Sequence, residues 1–593
     1  MVGVNRVYAS ESVPSLALSI ALEHHPALSS SPQVLCAAAR ACKAWRQAVQ
    51  QCAVCNTAVV LDPSKQLQQL HSFAQWLPKH AALVDSITAV ADAAIGDFEE
   101  PEEDLWQSHL EATQQLLRAL HAAAVADEGA TPGPGAAAAA LPASSGAELR
   151  NSTQQQQQQQ QHGWRLASFS SDLPGAPALL HVLPAHSLTH LDLQLQPGAG
   201  AEEASAELSQ LTRLSSLQQL HLGSSHRVQY QLPDGCLAGL AQLSQLTSLK
   251  LTGVWRGIKQ QLQQLLVQPL PLQQLVLVVM DRALHSSGQD QDLPDLAHLT
   301  QLTHLSLGSC GVPSTLPAQL QVLHAGSQCT DLAAVLALKQ LQCLTLSPEL
   351  AEQRQLLELA KLPALQELHL YYNGPVDAAA AASNWKSLPQ LRGLDVQSWY
   401  VEAPSRQQIA AILAGAAAAT QLTQLQLSLP CADAALLQGH VMPMCGSLAG
   451  LTRLKEMRLH RMRLVPGDAL ALTPLTGLTR LELYDLHDGV GEVAATALAC
   501  SLKHLQHLEC ISCSVNLGST EFLAAVGQLK QLTYLNLRGN DGLTQQGVMQ
   551  LTGLSRLQRL HVDLNEEVTD EVWDGFWAAV RQQQQQQLPA GSC

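Results

Sequence analysis

Twenty-three histidines and fourteen cysteines are the residues of this chain best able to do chemistry. Imidazole and thiol are the preferred ligands of zinc, and both serve in acid–base and nucleophilic catalysis. Their spacing follows neither chemistry. Two C-x-x-C pairs, Cys52/Cys55 and Cys510/Cys513, stand far apart, with no Cys/His pair nearby at zinc-binding spacing. Reduced, buried thiols are the expectation for them. His190, His221, His304, His324, His369, His460, His507 and His561 recur at strand positions expected to face solvent. Neighbouring repeats do not keep them in one file, and no carboxylate or cysteine partner is expected to recur beside them. They read as exposed polar filler. No phosphate-binding loop, G-x-G-x-x-G, H-E-x-x-H or G-x-S-x-G occurs. The expectation is therefore a binding protein with no enzymatic activity, no cofactor and no metal.

Composition narrows the partners. The net charge is −16 and no Lys/Arg cluster stands out, so a phosphate backbone would be repelled and nucleic acid is not an expected partner. Apolar residues make up 46% of the chain, ample for a core. The longest apolar stretch outside the repeats, Ile409 to Ala419, is too short to span a bilayer. Ser12–Leu22 resembles the apolar region of a signal peptide, but Glu11 precedes it and no basic cluster leads it. No membrane association is expected. Cytoplasm is the expected compartment, with nucleus and axoneme or cytoskeleton as alternatives.

What positions these side chains is a repeat. Segments of the form L-x-x-L-x-L run from Leu188-Thr-His-Leu191-Asp-Leu193 to Leu557…Leu560-His-Val562, giving fifteen units. Their mean period is about 26 residues, inside the ~20–29 range of leucine-rich repeats, which the pattern resembles. The last two leucines sit two apart, so on a strand both point to one face. One repeat cannot hide them alone; stacked neighbours about 4.8 Å apart bury them and satisfy the strand backbone. Leucines at intervals of three, such as Leu237, Leu240, Leu243, Leu246 and Leu249, predict a short helix and turn before the strand. The resemblance implies an α/β fold: a leucine-rich-repeat solenoid with a parallel-sheet horseshoe, short convex helices and a small N-terminal helical module.

The family also places Asn or Cys three residues after the final strand leucine, to bond loop backbone. Cys310, Asn373, Cys513, Asn540 and Asn565 fit; Gln196, Val254, Met280, Trp399 and Pro430 depart and predict irregular loops. Gly542-Leu-Thr-Gln-Gln-Gly-Val, Cys329-Thr-Asp-Leu and Val568-Thr-Asp-Glu-Val resemble the start of the helix in the cysteine-containing repeats typical of F-box proteins. Residues 164–580 form the main solenoid. Residues 57–126 carry first repeat-like units, with helices over Leu67–His80 and Leu105–Val125 and a strand over Val84–Val90. Leu166–Ser171 reads as a further strand. A Pro/Gly/Ala/Gln-rich insert, 127–163, and a Gln-rich tail, 581–593, are expected to be disordered, with helical extension through glutamine as the alternative.

Val34-Leu-Cys-Ala-Ala-Ala-Arg-Ala-Cys-Lys-Ala-Trp45-Arg46-Gln-Ala-Val49 resembles the second half of an F-box, the helical module that docks onto the adapter of cullin–RING ubiquitin ligases. Pro14, Leu18 and Leu22 fall where that family's opening Pro and first-helix apolar residues belong. Ile20 sits one residue early, and the usual acidic residues are missing. Residues 10–56 are then either this module or a plain cap on the first repeat. The resemblance implies a substrate-recognition subunit of an SCF-type ubiquitin ligase, with Pro14, Leu18, Leu35 and Trp45 as adapter anchors. The alternative is a structural or scaffolding repeat protein, cytoskeletal or ciliary, without a ligase link. On either reading a protein partner is expected on the concave strand face. There the exposed positions turn charged and aromatic from Glu456 onward, and Arg480, Tyr484, Tyr534 and Arg538 are the expected centre.

Overall fold

Each paired-leucine motif lies on a strand, with its aliphatic side chains buried on one face; Leu305, for example, is 1% exposed. The computed structural model describes residues 57–61, 67–81, 84–90, 103–128, 164–196, 207–224, 230–232, 235–256, 258–280, 293–308, 310–326, 332–347, 355–372, 385–398, 406–430, 443–486, 490–513, 517–540 and 542–587. The chain divides into two units, Met1–Leu302 and Thr303–Cys593.

Among the described residues of the first unit, seven strands pair in parallel in chain order. They are Thr57–Leu61, Val84–Ala89, Ser168–Ser171, His190–Leu195, Gln219–Ser224, Ser248–Arg256 and Gln274–Met280. A short eighth, Tyr230–Gln231, pairs with the far end of Ser248–Arg256. Among its described residues the second unit carries eleven parallel strands: His304–Leu307, Val322–Ala325, Cys343–Leu346, Glu367–Tyr372, Gly393–Ser398, Gln424–Ser428, Glu456–His460, Arg480–Tyr484, His507–Ile511, Tyr534–Asn536 and Arg559–His561. From His190–Leu195 onward within the first unit leucine meets leucine at each step of the main sheet, and in the second unit leucine or methionine meets leucine at nearly every step. The fold is an α/β leucine-rich-repeat solenoid.

The return from Met457 to Leu481 carries a 3₁₀ turn, Asp468–Leu472, which buries Ala469 and Leu472. The longer step from Leu394 to Leu425 accommodates an α-helix of 13 residues, Arg406–Ala418. Helix starts follow the sequence: the Thr544 hydroxyl accepts from the Gly547 N–H at 3.1 Å and the Ser519 hydroxyl from the Phe522 N–H at 3.3 Å. Asn540 and Asn565 bond loop backbone as the repeat pattern requires, with Asn540 donating to the Leu537 carbonyl at 2.8 Å and Asn565 to that of Leu543 at 2.9 Å.

Two features differ from the sequence reading. Thr57–Leu61 is a strand without any leucine motif; it was not legible because Thr-Ala-Val-Val-Leu lacks the paired spacing. The last helix, Asp570–Gln587, contains the second glutamine tract, where composition pointed first to a disordered tail and helical extension was the alternative. Glutamine is a good helix former once a packed turn holding Phe576 and Val580 has nucleated the helix, and the Gln584 amide donates to the Leu557 carbonyl at 3.2 Å. The N-terminal module and its residues Pro14, Leu18, Leu35 and Trp45, Asn373, Cys52/Cys55 and nearly all of the 127–163 insert lie outside the described residues.

Leu305→Asp is expected to unfold the second unit at its first strand, because a carboxylate without a partner would enter the leucine layer at a cost of several kcal/mol. Loss of the cooperative thermal transition, followed by circular dichroism, checks this.

Candidate functional site

Opposite the leucines, each strand of the second unit offers three positions: just before, between and just after the paired leucines. Parallel register lines these up across repeats. The first file includes Cys343, Glu367, Gly393, Gln424, Glu456, Arg480, His507, Tyr534 and Arg559. The second runs through Thr345, His369, Asp395, Gln426, Arg458, Glu482, Glu509, Asn536 and His561 in the same registers.

The centre of the charged stretch is Glu482, whose side chain is 12% exposed. Its carboxylate accepts from Arg458 Nε at 3.1 Å and from Arg480 Nε, and His460 and His507 each place Nε2 at 3.8 Å. Burial alone would raise its pKa. Bonds from His460 and Arg480, with the charges of Arg458 and Arg480, outweigh burial and hold it at about 2. Arg458 also reaches Glu456 at 3.5 Å and donates to the Gln426 side-chain oxygen at 3.2 Å. Rings flank the network: His507 stacks on Tyr534 with centroids 4.1 Å apart, Tyr534 lies 5.4 Å from His561, and His460 meets Tyr484 edge-on at 5.8 Å.

These contacts place the four residues expected from sequence. Arg480 and Tyr534 lie in one file with His507 between them. Arg480 turns its Nε to Glu482 rather than outward. Tyr484 is 39% exposed and Arg538 is exposed, each just after the second leucine of its repeat. What fixes these last two is a corner that the sequence did not reveal. Arg461, Asp485 and Ser512 take positive φ of 54°, 52° and 51°, and Gly539 of 70°, all two residues past the paired leucines. Three of their N–H groups donate across the repeat: Arg461 to the Tyr484 carbonyl at 2.8 Å, Asp485 to that of Ile511 at 2.9 Å and Ser512 to that of Arg538 at 3.0 Å. Each left-handed side-chain-bearing residue is strained, and the ladder bond holds it there.

The histidines need a correction. Carboxylate partners do recur beside them, two across strands and one two residues along the same strand. His221 Nδ1 lies 2.9 Å from Asp192, His369 Nδ1 3.2 Å from Asp395, and His507 Nε2 2.6 Å from Glu509. The sequence hides the first two because the partners are a repeat apart; His369 and Asp395 are separated by 26 positions. Burial pulls His369 toward neutrality, but the bonds and charges of Asp395 and Cys343 prevail and raise it to about 10. Beside this pair the side-chain layer is interrupted at Gly393, leaving a concavity lined by Glu367, His369, Asp395, Gln424, Gln426 and Arg458. Cys510 and Cys513 are free and buried; burial pushes the Cys513 thiol up to about 12, and its Sγ donates to the Leu483 carbonyl at 3.0 Å.

No family model and no curated protein matches the chain. Among solved structures it is similar to an internalin (inlF) from Listeria monocytogenes, at 18% identity over 55% of this chain and 78% of that one, with a TM-score of 0.29. It is also similar to a leucine-rich-repeat protein of Leptospira interrogans, at 17% identity over 68% and 91%, TM-score 0.30. A third is the TLR13–ssRNA13 complex, at 16% identity over 68% and 56%, TM-score 0.29. Among the described residues no helix is long and apolar enough to cross a membrane.

Glu482→Gln is expected to lower stability at neutral pH by about 1–3 kcal/mol, since two guanidinium groups lose their anion. The Glu482 carboxylate stays ionised in the fold down to about 2, against an ordinary value of 4.5. Its contribution is therefore complete above the ordinary value and fades as pH falls toward 2. Urea denaturation at neutral and acid pH should show the gap between wild type and Glu482→Gln closing over that window.

Proposed function

We propose that this chain is a protein-binding scaffold whose partner docks on the polar strand face from Glu456 to Asp563. One observation carries the reading: charged and aromatic side chains are fixed in files by a parallel ladder and by each other. Arg458 and Arg480 are held on Glu482, and Tyr534 is held between His507 and His561. Groups ordered before binding lose little conformational freedom when a partner arrives. Tyr and Arg supply contact area together with directed hydrogen bonds. Arg480, Tyr484, Tyr534 and Arg538 are the centre of this face, with Tyr484 and Arg538 the most open to a partner.

The more specific reading is a substrate-recognition subunit of an SCF-type ubiquitin ligase. It is supported by the Trp45-Arg46 segment and the helix starts typical of F-box proteins. The ligase chemistry would belong to other subunits. The N-terminal module would hold the adapter through Pro14, Leu18, Leu35 and Trp45, and the solenoid would hold the substrate.

Two experiments test this. Alanine at Arg480, Tyr484, Tyr534 and Arg538 together is expected to keep the thermal transition and to lose a defined set of co-purifying proteins. The same set should survive alanine at Gln219, Ser248 and Thr252 in the first unit; retention by the fourfold variant would move the partner face elsewhere. For the ligase reading, purified SCF adapter should bind the full chain and fail to bind residues 57–593 in a direct assay. If the full chain does not bind the adapter, it is a scaffold without a ligase link.

A further inference from the structure

Among the described residues, two places on the polar face bring together three side chains of metal-ligating type, and their surroundings separate them. Glu482, His507 and Glu509 are close enough to share an ion, yet Arg458 and Arg480 already bond the Glu482 carboxylate. A cation there would meet two guanidinium charges. Cys343, Glu367 and His369 are different: their donor atoms lie within 4.8 Å of one another. Register alone brings this about. Cys343 and Glu367 are directly paired across neighbouring strands, and His369 follows two residues on, so it returns to the same face. His369 Nδ1 is engaged by Asp395 at 3.2 Å, and its Nε2, the nitrogen that would ligate, faces the Glu367 carboxylate at 4.0 Å.

We propose that Cys343, Glu367 and His369 bind a zinc ion on the polar face, with Asp395 orienting the imidazole. Thiolate, imidazole and carboxylate form a mixed set that suits Zn²⁺ and not the hard cations, which take oxygen alone. Zinc bonds of ~2.0–2.3 Å put tetrahedral ligands about 3.5 Å apart, a closure small rotamer changes can supply. A carboxylate on the far ring nitrogen of a zinc histidine fixes its tautomer and raises its basicity, which is the relation Asp395 has to His369. Three protein ligands leave a fourth position. The concavity over Gly393 adjoins Glu367 and His369, where no Cβ fills the layer; one added at Gly393 would stand 3.2 Å from Glu367 Cγ. A water or a side chain of a bound protein can complete the coordination from there. The proposal stands independently of the partner face centred on Arg480.

The test uses the full-length protein, reduced and stripped with chelator, at mildly alkaline pH because the metal must displace the His369 proton. One equivalent of Co²⁺ is expected to give a thiolate-to-cobalt charge-transfer band and the intense visible bands of a tetrahedral site, both abolished by Zn²⁺. Cys343→Ser should remove the charge-transfer band, and Glu367→Gln should weaken binding. Asp395→Asn, which touches no metal, should lower affinity by roughly 10–100-fold. Cys310→Ser should change nothing. Circular dichroism confirms that each variant is folded, and Glu367→Gln, at an exposed position, keeps the test decisive should Cys343→Ser fold poorly. Absence of cobalt binding by the wild-type protein overturns the proposal. So does a charge-transfer band that persists in Cys343→Ser and disappears in Cys52→Ser.

Discussion

Everything on the polar face depends on how one strand's backbone is satisfied by the next. At each step along the charged stretch a single carbonyl ahead of the strand accepts two N–H groups from the following repeat. The Thr423 carbonyl receives Lys455 at 2.7 Å and Glu456 at 3.0 Å; that of Lys455 receives Thr479 at 2.8 Å and Arg480 at 3.0 Å. A slip by one residue would break this pair and turn the leucines outward, so the backbone and the apolar layer enforce the same register. The register then decides, for every polar residue, which neighbour it has.

That constraint makes the face a set of files rather than a scatter of exposed side chains. It explains why acidic and basic groups alternate where they do. In the second file Arg458, Glu482 and Glu509 follow one another; Arg480 and His507 pair with Glu482 and Glu509 from two residues earlier on the same strands, and Arg458 reaches Glu482 from the neighbouring strand, so charge is balanced both along and across strands. It also explains why Glu482 can be largely withdrawn from water and remain ionised. The left-handed corners at Arg461, Asp485, Ser512 and Gly539 end the strands at matching points and give Tyr484 and Arg538 equivalent places at the rim of the face.

The repeat was legible in the sequence because its signal is local: paired leucines, leucines at threes and Thr544 before a helix all act within a few residues of one another. The same locality placed Leu67–His80 as a helix, which is its observed extent. What was not legible is what lies between repeats. His369 reads as a lone exposed histidine until Asp395, a full repeat later, is brought to its side. Gly393 carries no signal in the sequence, and only the folded sheet shows the concavity that its missing side chain opens between Glu367 and Gln424. Thr57–Leu61 carries no leucine motif and joins the sheet through its pairing with Val84–Ala89. Exposed positions obey no local code, since any polar residue tolerates solvent, and their meaning comes from neighbours that only folding supplies.

The most direct test of this account is the register itself, read by a disulfide. Gln397 and Ser428 are aligned across adjacent strands, while Gln426 lies on the same face two positions away. Parallel neighbours at about 4.8 Å fall inside the Cα separation a disulfide tolerates, and a partner displaced by two residues falls outside it. Mild oxidation followed by peptide mass spectrometry should therefore find the cross-link in the Gln397→Cys/Ser428→Cys protein and not in Gln397→Cys/Gln426→Cys. The reverse result, or equal cross-linking of both, would contradict the ladder on which every file described above depends.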